Sequence, residues 1–382
     1  MKKVFLILSI LYFVMPFTVK AEQLKLAESA KSAILIEAST GEIIFEKNSH
    51  EKREPASMTK MMSMLLILES IEKGIISWDE IVTVSENASS MGGSQILLET
   101  NEQMSVSDLF KGIAVASGND AVVALAEKIA GTEEIFVDMM NKRAQELGLT
   151  DTNFKNCHGL HEANHYSSAY DMSIIARELA KHEVVFKYSS IYEDYLRENT
   201  DRKIWLVNTN KLVRFYDGVD GLKTGYTQEA GYCLTATAKK NGMRVIAVVM
   251  GEPDSGTRNK EVSEMLDYVF AQYEVEQVLS KDSILDKVKV SKGKEEYVEV
   301  VPMDEVTFLN KKIDPKKSAT FDLQLNTVTA PIKVGEKIGT LKITEDGETR
   351  YIDVTVKNDV EKAGIFKMYF RNVKEILTGD IS

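Results

Sequence analysis

The sequence predicts an α+β domain, an antiparallel sheet with helices, followed by a small all-β domain and a terminal amphipathic helix. Three observations predict it. Strand-like runs stand at both ends of the segment 22–275 and helical periodicity fills its middle, so a sheet assembled from the two ends must carry inserted helices. After residue 275 the texture changes to short alternating runs separated by turn signals. The last segment returns to a helical period with its apolar residues on one face.

In chain order, the start reads MKK, then VFLILSILYFVMPF, then TVKA. A cationic beginning, a short apolar run and small residues at Val19 and Ala21 predict an export signal over 1–21. An uncleaved anchor is the alternative, although the apolar run is short for a bilayer span. Runs 33–37 and 42–46 form a hairpin through Ser39-Thr40-Gly41. Helices follow at 57–73, 106–116, 121–129, 133–147 and 168–181, strands at 232–238 and 244–250, and an amphipathic helix near 260–273. The β-domain, 276–360, has runs at 287–290, 297–301, 321–325, 332–334, 340–343 and 351–356. Segment 361–382 completes the chain. There Ile365, Phe366, Tyr369, Phe370, Val373, Ile376 and Leu377 share a face flanked by Lys362, Lys367, Arg371 and Lys374. A cationic helix with aromatic residues on its apolar side is expected at a membrane surface. Docking on the β-domain or on another subunit is the alternative.

Composition bounds the function. The 382 residues are 44% apolar and 27% charged, ordinary for globular domains and sufficient for a packed core. Lys and Arg number 47 against 58 Asp and Glu, a net charge of −11, which argues against a nucleic-acid partner. Two cysteines, Cys157 and Cys233, form no disulfide framework, though an exported chain could join them.

The strongest chemical signal is Pro55-Ala56-Ser57-Met58-Thr59-Lys60. On a helix Ser57 and Lys60 lie one turn apart on one face. Met58, Met61, Met62 and Met64 surround the lysine, and burial among them lowers its pKa and leaves a neutral amine able to take the serine proton. The spacing also occurs at Ser49/Lys52, Ser70/Lys73 and Ser291/Lys294, which read as solvated surface pairs. The Ser57 pair differs in its apolar setting and in its two downstream companions, Ser117-Gly118-Asn119 and then Lys223-Thr224-Gly225. Ser117 and Asn119 could instead cap a helix, and Lys223 could be a turn lysine. The ordered set is far more specific than any member, and such a set marks β-lactamases and penicillin-binding proteins.

With these motifs the chain resembles the low-molecular-mass penicillin-binding proteins, serine-type D-alanyl-D-alanine carboxypeptidases, over nearly its whole length. Gly92-Gly93-Ser94-Gln95, His158-Gly159-Leu160 and Gly225-Tyr226-Thr227 fit the family as well. The resemblance implies a β-lactamase/transpeptidase-like catalytic domain acting on peptidoglycan stem peptides, with β-lactams as inhibitors and no metal or organic cofactor. Ser57 would be the nucleophile, Lys60 its base and Ser117 a proton relay. Asn119 would bind the substrate backbone, and Lys223 and Thr224 its terminal carboxylate. Gly225 would allow close approach of the strand, the backbone N–H groups of Ser57 and Tyr226 would hold the oxyanion, and Arg258 would join the carboxylate pocket. The family also places the protein on the outer face of the cytoplasmic membrane.

His161-Glu162-Ala163-Asn164-His165 fits the zinc motif H-E-x-x-H. That motif needs a helix, whereas Gly159 and Asn164 predict a loop here, with the next helix starting at Ser168 and Asp171 completing its cap. Two other readings of the whole remain. A class A β-lactamase needs a deacylating glutamate, for which the region offers Glu127, Glu133, Glu134 and Glu146. A slow β-lactam or wall sensor would carry the same motifs.

Overall fold

The computed structural model describes residues 24–345 and 347–378, so the expected export signal and residues 379–382 of the tail lie outside the described residues. The N-terminal hairpin is β1 (Ser32–Glu37) and β2 (Ile43–Lys47). Three later strands, β3 (Val219–Thr227), β4 (Gly231–Lys240) and β5 (Met243–Glu252), complete an antiparallel sheet in the order β2-β1-β5-β4-β3. The two ends of this domain thus build one sheet, as the pattern of runs predicts.

Both faces of that sheet are covered. Ile34, Ile36, Ile246, Val248 and Met250 face a core shared with the inserted helices. Ala33, Leu35, Val245, Ala247 and Val249 face a second core against Val262, Met265, Leu266 and Val269. A strand buried on both sides has no polar face to show, which is why these runs read as continuously apolar rather than alternating. The inserted helices are α1 (Lys60–Glu72), α2 (Val106–Ala116), α3 (Asn119–Ala130), α4 (Glu133–Glu146) and α5 (Ala169–Ala180). Every residue of α1 from Lys60 to Leu68 is buried, so this helix runs through the core with Lys60 and Ser63 as the polar members of that stretch. Helix α5 starts as predicted, with Ser168 Oγ accepting from Asp171 N at 3.1 Å.

Two boundaries differ from the sequence expectation. A 3-10 turn, Ala56–Thr59, precedes α1, so Ser57 belongs to a tight turn and Lys60 opens the helix. Helix α6 (Ser255–Gln272) starts ahead of residue 260 because Asp254 caps it, accepting from Gly256 N and Thr257 N at 2.8 Å each. Its first turn is polar and carries no apolar period to read.

The C-terminal domain pairs β6 (Tyr273–Leu279) with β9 (Val306–Lys311). Its five-stranded antiparallel sheet has the order β7-β8-β12-β11-β10, from β7 (Asp286–Lys289), β8 (Tyr297–Pro302), β10 (Ala319–Leu325), β11 (Gly339–Glu345) and β12 (Glu348–Val356). Val300, Phe308, Ile343 and Val354 share its core. Neither β6 nor β9 is among the strands read from the sequence. The run at 332–334 is no strand; Ile332 makes one isolated bridge, to Val360. Residue 275 falls inside β6. The two domains meet through Ser39 Oγ and Thr307 Oγ1 at 2.6 Å, and through Lys317, 3.0 Å from Glu42 and 2.8 Å from Glu345.

The chain ends in α7 (Ile365–Thr378), on which Ile365, Phe366, Tyr369 and Phe370 are 64–81% exposed. No helix among the described residues is long and apolar enough to cross a membrane. Cys157 and Cys233 are both buried and unbonded.

Candidate active site

The buried start of α1 sets the chemistry. Lys60 is fully buried, and its amine reaches Ser57 Oγ at 3.0 Å, Asn119 Oδ1 at 2.6 Å and the His158 carbonyl at 2.6 Å. Burial pulls its pKa down to about 7, against a smaller opposing pull from Cys157 and Asp120. A neutral amine has two N–H bonds and one lone pair. Asn119 Oδ1 and the His158 carbonyl can only accept, so they take the two N–H bonds and leave the lone pair for the Ser57 hydroxyl. A neutral Lys60 held by these three partners can therefore act as a base toward Ser57.

The segments around Ser57 are held at close quarters. A Cβ on Gly225 would come within 2.7 Å of the Pro55 carbonyl and 3.2 Å of Ser57 N. Gly225 thus lets β3 press against the serine turn itself, a role distinct from approach to the substrate. Gly159, at φ +88°, has a still tighter place, where a Cβ would overlap the Ala56 carbonyl. Ala56 and Ser117 are themselves left-handed, at φ +47° and +64°. Such a backbone costs a non-glycine residue about 1–2 kcal/mol, and here it sets both serine segments.

Ser117 follows the last turn of α2, and its buried hydroxyl has no hydrogen-bond partner among the described residues. An orphaned hydroxyl in a cleft is suited to a bond with an incoming group. Asn119 starts α3, and its amide is engaged at both ends, with Oδ1 on Lys60 and Nδ2 donating to the Gly92 carbonyl at 2.7 Å. It is placed to orient the lysine, whereas a bond to substrate backbone would require Nδ2 to leave Gly92. Asp120 pins the segment that follows Ser94 by accepting from Ile96 N and Leu98 N.

Strand β3 supplies the cationic side. Lys223 is buried and donates to the Thr224 carbonyl at 3.1 Å. Burial, reinforced by the charges of Lys60 and Arg258, pulls its pKa well below the usual lysine value. Arg258, also nearly buried, is held by Asn259 Oδ1 through Nε and Nη2. Tyr226 is 56% exposed and lies against Tyr232, with ring centroids 4.3 Å apart. A cleft of about 460 Å³ is lined by Ser57, Ser117, Thr224, Gly225, Tyr226 and Arg258, with Lys60 and Lys223 beneath its wall.

Thr209 and Lys211 also line the cleft and escaped the sequence reading, and Ser94, read there only as part of a family stretch, lines it too. Thr224 Oγ1 donates to Thr209 Oγ1 at 2.7 Å. The signal was Asn208-Thr209-Asn210 between apolar runs, since Asn208 and Asn210 pin this segment through the Ser189, Ile191 and Gly221 carbonyls.

The segment His161–His165 is a loop, as expected, and its histidines go separate ways. His165 Nε2 is 2.8 Å from Thr59 Oγ1, and His161 Nδ1 is 2.9 Å from Glu54 Oε1. Of the glutamates weighed for a β-lactamase, Glu127 accepts from Ser85 and Asn87, Glu133 accepts from Cys157 N, and Glu146 pairs with Arg143. None of these, nor Glu134, lines the cleft.

The chain is similar to known proteins over most of its length. Residues 17–254 match the family model described as D-alanyl-D-alanine carboxypeptidase, and residues 273–362 match that of the penicillin-binding protein 5 C-terminal domain. The D-alanyl-D-alanine carboxypeptidase DacF of Bacillus subtilis is 51% identical over 91% of this chain and 90% of its own. The structure of penicillin-binding protein 5 from Haemophilus influenzae has a TM-score of 0.70 at 33% identity, covering 89% of this chain and 99% of the other. Penicillin-binding protein D2 from Listeria monocytogenes in its ampicillin-bound form has a TM-score of 0.57 at 30% identity, covering 63% of this chain and 98% of the other.

Proposed function

The chain belongs to the D-alanyl-D-alanine carboxypeptidase family, and from that premise we propose how its residues divide the work. It is a serine-type carboxypeptidase that removes the terminal D-alanine of peptidoglycan stem peptides through an acyl-enzyme. The observation that carries the residue assignment is the lone pair of Lys60, left facing Ser57 once Asn119 and His158 have taken the two N–H bonds.

Lys60 takes the Ser57 proton as Oγ attacks the carbonyl between the two D-alanines. The tetrahedral oxyanion is held by the backbone N–H groups of Ser57 and Tyr226, a contribution of about 3–4 kcal/mol in such sites. The proton passes through Ser117 to the leaving nitrogen, the C–N bond breaks and D-alanine departs. Water then cleaves the ester and returns Ser57. Lys223, Arg258 and Thr224 bind the terminal carboxylate, the Thr224 hydroxyl turning its one proton from Thr209 to the incoming oxygen. Lys60 and Arg258 each make a charge on buried Lys223 more costly, so an incoming carboxylate relieves the strain on Lys223. β-Lactams acylate Ser57 by the same route.

The pH profile of D-alanine release from a stem pentapeptide tests this assignment. Lys60 is protonated below about 7 and loses its lone pair, so kcat/KM should fall about tenfold per pH unit below that point and level off above it. A rate independent of pH between 5 and 8 would remove Lys60 as the base. D-alanine release by itself separates the enzyme from a non-turnover sensor, and a long-lived penicillin adduct separates it from a β-lactamase.

The tail completes the proposal. The exposed aromatic face of α7 and its nearby lysines suit the interface of an anionic bilayer, which supports the reading of an exported protein held at the outer face of the cytoplasmic membrane. Deleting residues 363–382 should move the protein from the membrane pellet to the supernatant; unchanged sedimentation would assign α7 another partner.

A further inference from the structure

The loop motif that fails as a helical zinc site leaves one of its histidines in other company. His161, Glu54 and Glu229 each offer a ligand atom, and the three atoms lie within 4.8 Å of one another. They come from three separate segments. Glu54 immediately precedes the serine turn, His161 follows the Gly159 contact, and Glu229 lies in the turn between β3 and β4. These same segments converge on Ser57, where Gly225 closes on Pro55 and Gly159 closes on Ala56.

We propose that Glu54, His161 and Glu229 form a divalent transition-metal site, with zinc as the best-fitting ion, that clamps these segments together at the rim of the cleft. One imidazole nitrogen and two carboxylate oxygens, with water in a fourth position, make a tetrahedral N/O set that zinc accepts. Magnesium prefers an octahedral shell of oxygens and keeps its waters, so the imidazole selects against it. His161 and Glu229 are exposed and Glu54 half-buried, so the ion can enter without unfolding the site. It takes no part in the acyl transfer; its effect is to tie the β3–β4 turn, next to Tyr226, to the chain entering Ser57.

The test is titration of the full chain with zinc chloride by calorimetry, together with hydrogen exchange of residues 226–231. One ion should bind per chain, exchange in the turn should slow on zinc addition, and excess magnesium should not compete. His161→Ala and Glu229→Gln should each weaken binding at least about tenfold and abolish the added protection. His50→Ala, which alters an exposed histidine paired with Asp151, should leave both readouts unchanged. Failure to bind one ion, binding unaltered in both site variants, or loss of binding in His50→Ala would each overturn the proposal. D-alanine release without added zinc is expected to be the same in the site variants and the parent, so failure here is distinguishable from failure of the catalytic assignment.

Discussion

Replacing Ser57 with alanine should abolish D-alanine release and covalent penicillin labelling together. Removing the nucleophile of a serine hydrolase lowers turnover by a factor on the order of 10⁶, because no neighbouring group can form the acyl bond. The substitution removes one hydroxyl from a half-buried turn residue and one contact with Lys60, so the fold should remain, as a melting curve would show. Mass spectrometry of the parent should place the penicillin adduct on the peptide containing Ser57. An adduct that persists in Ser57→Ala would transfer the nucleophile to another residue.

Lys60→Ala should slow acylation by about 10²–10⁴-fold, the range for loss of a positioned base. Its effect on stability has two opposing parts. Asn119 Oδ1 and the His158 carbonyl lose their donor, at about 1–3 kcal/mol for each acceptor left buried and unpaired. Against this, the folded parent holds an amine whose pKa is depressed from 10.5 to about 7. The unfolded chain binds that proton more readily, so the parent loses stability as pH falls from about 10.5 to about 7, and the penalty is constant below that. The variant is free of it. Lys60→Ala should therefore stay folded at neutral pH, and its melting temperature should fall less than the parent's between pH 10 and pH 7. Near-normal acylation by a folded variant would remove Lys60 from the mechanism, and equal pH slopes would show that its amine is not depressed.

Much of the catalytic domain was legible because its elements declare themselves locally. The capping serine before α5, the apolar block of α1 and the runs of β4 and β5 each carry their own signal within a few residues. Strands β6 and β9 were not legible. Their pairing joins Tyr273 to Lys311, far apart in sequence, and β6 follows directly on α6, where an apolar period continues. The polar first turn of α6 hid its start for the opposite reason, its only marker being a single capping aspartate.

The chain's order of Ser57-x-x-Lys60, Ser117-x-Asn119 and Lys223-Thr224-Gly225 pointed to the class of chemistry by itself, because the ordered set is far more specific than any one of its members. Only the tertiary structure decided what each polar group faces. It turned the Asn119 amide toward Lys60 and Gly92, set Gly225 against the serine turn, and brought Thr209 to Thr224. It also sent the two histidines of one short loop to different partners. Residue type and spacing specify what a side chain can do along its own helix or strand. Which acceptors surround a buried amine depends on segments 59 and 98 residues away, and those are fixed only when the core closes around them.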